Sequence, residues 1–161
     1  MVNLIVSNIF IFILTSVNFS LDLAVPQDKL LNLMTDYEQF PKYLPHQIKS
    51  VQIIEKSNDY TITEETLHLS SVISKTFVQQ TKHYPFSDNL LKSEILSGPA
   101  KGSEIQVKFE ETSSKTHVSV NIEINLGFKY KFLVPLIKKS YKTFFTGILY
   151  KMQQHIVTSS N

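Results

Sequence analysis

The chain has no cysteine, no tryptophan and, among its 16 basic residues, no arginine. Without cysteine there are no disulfides, thiolate metal ligands or cysteine nucleophiles. Without arginine the planar fork that dominates base readout and bidentate phosphate clamping is missing, which argues against sequence-specific nucleic-acid recognition. A formal net charge of +2 is too small to demand a polyanionic partner. The histidines His46, His68, His83, His117 and His155 show neither His-x-His nor His-x-x-x-His spacing, so no metal site is expected. Gly98-Pro99-Ala100-Lys101-Gly102 lacks the Gly-Lys-Ser/Thr ending of a phosphate loop and leads into a strand, so it reads as a hairpin turn. No cofactor motif is present, and none is expected.

What is present is a globular composition, 42% hydrophobic and 19% charged, in a length most economically read as one domain. Residues 16–157 are expected to form that domain, with 158–161 a polar tail. Residues 1–15 carry an apolar run, Leu4 to Leu14, too short for the roughly 20 residues of a bilayer span and without a preceding basic residue. Three readings of it stay open: a backward extension of the first strand, an extraneous start, or a weak signal or anchor. The expected location is cytoplasmic, with membrane association as an addition.

The alternating run Val17 to Val25 reads as a strand. From Pro26 the period changes, and Leu30, Leu31, Leu33 and Met34 share the apolar face of a short helix. A second short helix, Tyr37 to Tyr43, is expected with Asp36 as its cap and Pro45 as its stop. Six strands follow: Ser50–Glu55, Tyr60–Leu69, Val72–His83, Leu90–Leu96, Glu104–Glu111 and Thr116–Phe132. The last alternates most cleanly, with Val118, Val120, Ile122, Ile124, Leu126, Phe128 and Tyr130 on one face. Gly127 is expected to mark a bend or bulge in it. From Pro135 the period is helical again, with Ile137, Tyr141, Phe144, Phe145, Ile148, Leu149, Met152 and Ile156 in one stripe and lysines mostly opposite. This order predicts an α+β fold: a curved antiparallel sheet of six to seven strands around a long C-terminal helix, with two short helices after strand 1. A sheet that touches a helix only at its edges leaves space between them.

With that order, Thr35-Asp36-Tyr37-Glu38-Gln39-Phe40-Pro41-Lys42-Tyr43-Leu44-Pro45 and the following Ile48-Lys49-Ser50-Val51-Gln52-Ile53-Ile54-Glu55 resemble the opening of the START-like helix-grip superfamily called SRPBCC. The chain is most similar to its polyketide cyclase/dehydrase and coenzyme Q-binding branch. The resemblance covers about Val17 to Ile156. It implies a deep apolar cavity between sheet and long helix, but no single catalytic set, so no catalytic residue is assigned.

Tyr141, Phe144, Phe145, Ile148 and Met152, with Ile122 and Ile124 of the last strand, are the candidate cavity lining, although each also suits an ordinary core. Tyr37, Phe40 and Tyr43 are the candidate gate, or a staple holding the second helix to the sheet. His68, His83 and Glu64 are the candidate polar anchors. Glu64 and Glu65 are strand neighbours on opposite faces, so they cannot form an acid/base pair; Lys75, Lys82 or solvent would satisfy Glu64. The expected function is binding of a hydrophobic small molecule, an isoprenoid quinone or another lipid as the resemblance implies, in a carrier or chaperone role. Two alternatives remain: a polyketide cyclase/dehydrase-like enzyme, for which a buried inward His or Glu of shifted pKa would speak, and an interaction module with a collapsed cavity.

Overall fold

The computed structural model describes residues 12–69, 74–113, 115–127, 132 and 134–159. The elements run β1 (Phe12–Leu23), α1 (Gln27–Thr35), a 3-10 turn (Tyr37–Gln39), α2 (Phe40–Tyr43), β2 (Ile48–Lys56), β3 (Thr61–Leu69), β4 (Lys75–His83), β5 (Leu90–Ile95), β6 (Glu104–Thr112), β7 (Lys115–Gly127) and α3 (Val134–Ser159). The strands form one antiparallel sheet in the order β1-β7-β6-β5-β4-β3-β2. It curves around α3, giving an α+β helix-grip fold.

The first and last strands of the sheet lie side by side at one of its edges. β1 pairs with β7 in unbroken register from Phe12↔Gly127 to Leu23↔Thr116. Gly127 keeps that pairing, so it ends the described strand without the expected bulge. Phe128, Tyr130 and the start of the strand expected from Val72 lie outside the described residues, as do residues 1–11. β1 begins at Phe12, inside the N-terminal apolar run.

Alternation sets the inner face. Val118, Val120, Ile122, Ile124 and Leu126 of β7 are all buried, as are Val107 and Phe109 of β6. The C-terminal half of α3 seals this region, with Leu149 and Met152 fully buried. In α1, Pro26 takes the extended conformation that leads into a helix, and Leu30 and Met34, four apart, point inward together. Asp36 does not cap the next turn with its side chain; its backbone carbonyl accepts from the Gln39 N–H at 3.1 Å instead. In the β5–β6 turn Gly98 and Gly102 have φ of +86° and +82°, and a Cβ on Gly102 would come within 2.9 Å of Asn125 Nδ2.

Candidate functional site

Between α3 and the inner sheet face lies a cavity of about 670 Å³. Its walls are mostly apolar. α3 contributes Ile137, Tyr141, Phe144, Phe145, Ile148 and Met152 from its stripe, and the short helical segment contributes Met34, Tyr37 and Phe40. The sheet supplies Ile48, Val51, Leu67, Phe77, Leu91 and Ile105, among others. Tyr141, Phe144 and Phe145 are less buried than Leu149 and Met152, and all three rings line this space.

Three expected lining or gating residues lie elsewhere. Ile122 and Ile124 are wholly enclosed in the hydrophobic core and present no face to the cavity. Tyr43 meets His155 of α3 edge-on, with centroids 6.0 Å apart, and so ties α2 to the last helix outside the cavity. Gly147, too, serves packing: its missing Cβ faces Leu44.

The polar anchors need a sharper correction. Glu64 points away from the cavity, where Gln80 Nε2 donates to its carboxylate at 3.1 Å; neither expected lysine is needed. Its neighbour Glu65 is the inward carboxylate. Strand parity explains this: Glu65 shares its face with Thr63 and Leu67, and Leu67 lines the cavity. The cross-strand register then places Thr63 opposite Thr81 and Glu65 opposite Gln79 on β4. His68 has the opposite parity and reaches only the cavity rim, where its Nδ1 lies 2.9 Å from Thr76 Oγ1.

These inner residues form one connected network. Glu65 accepts from Thr63 Oγ1 at 2.8 Å, Gln79 Nε2 at 2.8 Å and Thr81 Oγ1 at 3.1 Å. Because the Thr63 hydroxyl donates to Glu65, its oxygen accepts from His83 Nε2 at 2.9 Å. His83 Nδ1 then accepts from the Ser93 hydroxyl at 2.8 Å. A hydrogen-bonded chain therefore runs Ser93, His83, Thr63, Glu65, and it specifies the neutral Nε2–H tautomer of His83.

Burial sets the electrostatics. It lowers the His83 pKa to about 4, so the ring is neutral at pH 7. Burial also pushes the Glu65 carboxyl upward, and the three donors from Thr63, Gln79 and Thr81 oppose that shift by stabilising its anion. Tyr37 is pushed up to about 12 by burial and then by the Glu65 charge, and Tyr141 rises for the same two reasons. Both phenols stay protonated. Tyr37 also stacks on the His83 imidazole, with centroids 3.9 Å apart and planes at 16°, and Phe40 meets Tyr37 edge-on. The 3-10 turn thus covers the network as well as the cavity.

Neither the Tyr37 nor the Tyr141 hydroxyl bonds to another side chain among the described residues, so both are free to meet a ligand oxygen. Lys75 and Lys139 also line the cavity but are exposed, which places them at its mouth. No cluster of three or more potential metal ligands occurs among the described residues. No described helix is long and apolar enough to cross a membrane.

Solved structures share this architecture at low identity. A protein of Thermus thermophilus superposes with a TM-score of 0.77 at 15% identity, covering 91% of this chain and 100% of its own. The Zhui aromatase/cyclase of Streptomyces sp. R1128 gives 0.74 at 10% identity, covering 89% and 96%. A START superfamily protein of Mycobacterium smegmatis gives 0.70 at 14% identity, covering 89% and 97%. At such identities the likeness is one of fold. No curated protein matches the chain in sequence. The family itself is shown by a match over residues 23–154 to the model described as polyketide cyclase / dehydrase and lipid transport, a fold and family consistent with hydrophobic ligand binding. The chain belongs to that family of polyketide cyclases, dehydrases and lipid-transport proteins.

Proposed function

We propose that this protein binds and carries a largely apolar small molecule, an isoprenoid quinone or another lipid, in the cavity between α3 and the sheet. The observation that carries the reading is the cavity itself: about 670 Å³, walled largely by aromatic and aliphatic side chains, with Glu65, Gln79, Thr81 and His83 clustered on β3 and β4. Apolar ligand surface buried there contributes roughly 25 cal/mol per Å² before ordering costs. The Tyr37 and Tyr141 hydroxyls would donate to an oxygen of the ligand and set its orientation. An open cavity of this size also speaks against an interaction module whose cavity has collapsed.

The test is native mass spectrometry of the full-length protein purified from a lipid-containing host. A reproducible bound mass, lost in Phe144→Asp, is the expected result. An empty spectrum, with no uptake of added quinones or fatty alcohols, would sink the reading.

A second reading rests on the Ser93–His83–Thr63–Glu65 chain. A buried carboxyl of raised pKa coupled through a hydroxyl to an imidazole is an arrangement suited to moving a proton. A cyclase/dehydrase-like enzyme would use Glu65 as the base. Recovery of the bound molecule with altered mass after incubation would favour this reading; recovery unchanged would favour the carrier.

A further inference from the structure

Glu65 sits oddly in a lipid cavity. Its side chain retains 15% exposure, and that exposure opens onto the aromatic walls. Three neutral donors fill part of its hydrogen-bonding capacity, but a carboxylate offers about four acceptor positions. Its ion-pair contact among the described residues is His83, 3.8 Å away, and that ring is neutral at pH 7. The two lysines of the cavity are at the mouth. The inner part of the cavity therefore holds a carboxyl whose anion no cation of the described residues would balance, inside walls built from Tyr37, Phe40, Phe77, Tyr141, Phe144 and Phe145.

Carboxylate and aromatic faces attract the same kind of group. A protonated amine forms a charge-assisted hydrogen bond with the one and is drawn to the negative ring faces of the other, and both effects strengthen when water is excluded. A fatty carboxylate would instead bring a second negative charge against Glu65.

We infer that the ligand is a lipophilic amine, a molecule with an apolar chain or ring body whose protonated amino head is buried against Glu65. This rests on the cavity-binding reading above and narrows it from lipids in general to cationic ones. The Tyr37 and Tyr141 hydroxyls then serve an oxygen next to the amine, as an amino alcohol would present. The lysines at the mouth discourage the reverse orientation, with the ammonium outward.

Three probes of equal chain length separate the possibilities: decylamine, 1-decanol and decanoate, titrated into the full-length protein by calorimetry at pH 7. The expected order is amine, then alcohol, then acid, with the amine at least tenfold tighter than the alcohol. Glu65→Gln should collapse the amine-to-alcohol ratio to within about threefold. Alcohol or acid binding as tightly as the amine would overturn the inference while leaving the cavity reading intact. No binding by any probe would overturn both. Because the wild-type order decides the matter, the test stands even if Glu65→Gln fails to fold. If that variant folds and the amine preference survives in it, Glu65 is not the recognising group and the inference fails.

Discussion

The inner face of the sheet has two unlike halves. On β1, β7 and β6 nearly every inward residue is aliphatic or aromatic and most are buried, and the C-terminal half of α3 packs over much of this face, although Ile105, Val107 and Leu126 also reach the cavity. On β3 and β4 the same alternating positions carry Thr63, Glu65, Gln79, Thr81 and His83, joined side chain to side chain, and all but the fully buried Thr63 line the cavity. The first half is built as a core. The second sets aside packing for chemistry: each of its polar groups finds a partner, so the desolvation of burying it is offset without filling the volume. Close packing and the polar part of the candidate site are thereby weighted towards different strands of one sheet, and each should respond to its own substitutions.

The largest expected effect lies in the first half. Phe109 is completely buried and meets Phe86 edge-on, with centroids 5.9 Å apart. Phe109→Ala should cost about 3–5 kcal/mol, read as a shifted urea midpoint, with little change in ligand preference among molecules that remain folded. An equal loss of ligand selectivity would break the division between the halves.

Acid should act through the second half. His83 binds its proton at about 4 in the folded protein, against 6.5 for the ordinary side chain. The unfolded chain therefore binds more protons between those values, so the His83 contribution is full above pH 6.5 and is lost as pH falls towards 4, by about 3 kcal/mol in total. Glu65 runs the other way: its raised carboxyl favours the folded state most when neutral, and that contribution fades as pH rises through its folded pKa. Chemical denaturation across pH 4 to 7 should show a falling limb towards acid that His83→Gln flattens. A slope unchanged in that variant would show that the acid response belongs to other groups.

The smallest effect sharpens the comparison. Thr81→Val keeps the shape of the side chain but removes one of three donors to Glu65. About 1 kcal/mol of stability should be lost, well below the Phe109 effect. The Glu65 carboxyl should move further upward because its anion is less well solvated. Carboxyl-selective NMR titration reads that shift, and a downward movement would contradict the network described here.

Much of this was legible in the sequence. The element order, the alternation of β7 and the stripe of α3 reflect burial, which writes itself as periodicity. The cavity residues Tyr141 and Phe144 of α3 could be named on that basis, whereas Tyr37 and Phe40 follow from the resemblance carried by the Thr35–Pro45 run. The polar half was harder. In β3 the apolar markers conflict, because Ile62 suggests one face and Leu67 the other, and parity decides which of two adjacent glutamates turns inward. Pairing β3 with β4 by matching Leu67 to Phe77 would have placed Thr63, Glu65, Gln79 and Thr81 on one surface. Ile122 and Ile124 failed as lining for a different reason. Alternation reports which face is buried, but not whether a helix or an empty space lies over it.

The pairing of β1 with β7 has a consequence for synthesis on the ribosome. The first strand emerges roughly 100 residues before its partner, a delay of about 5–20 s at ordinary elongation rates. During that interval Val17, Phe19, Leu21 and Leu23 have no sheet to join, and α3, which closes the cavity, does not yet exist. The nascent chain must therefore keep an apolar β-prone segment from mispairing until β7 has been made. Of the described elements, the helix that closes the cavity is made last.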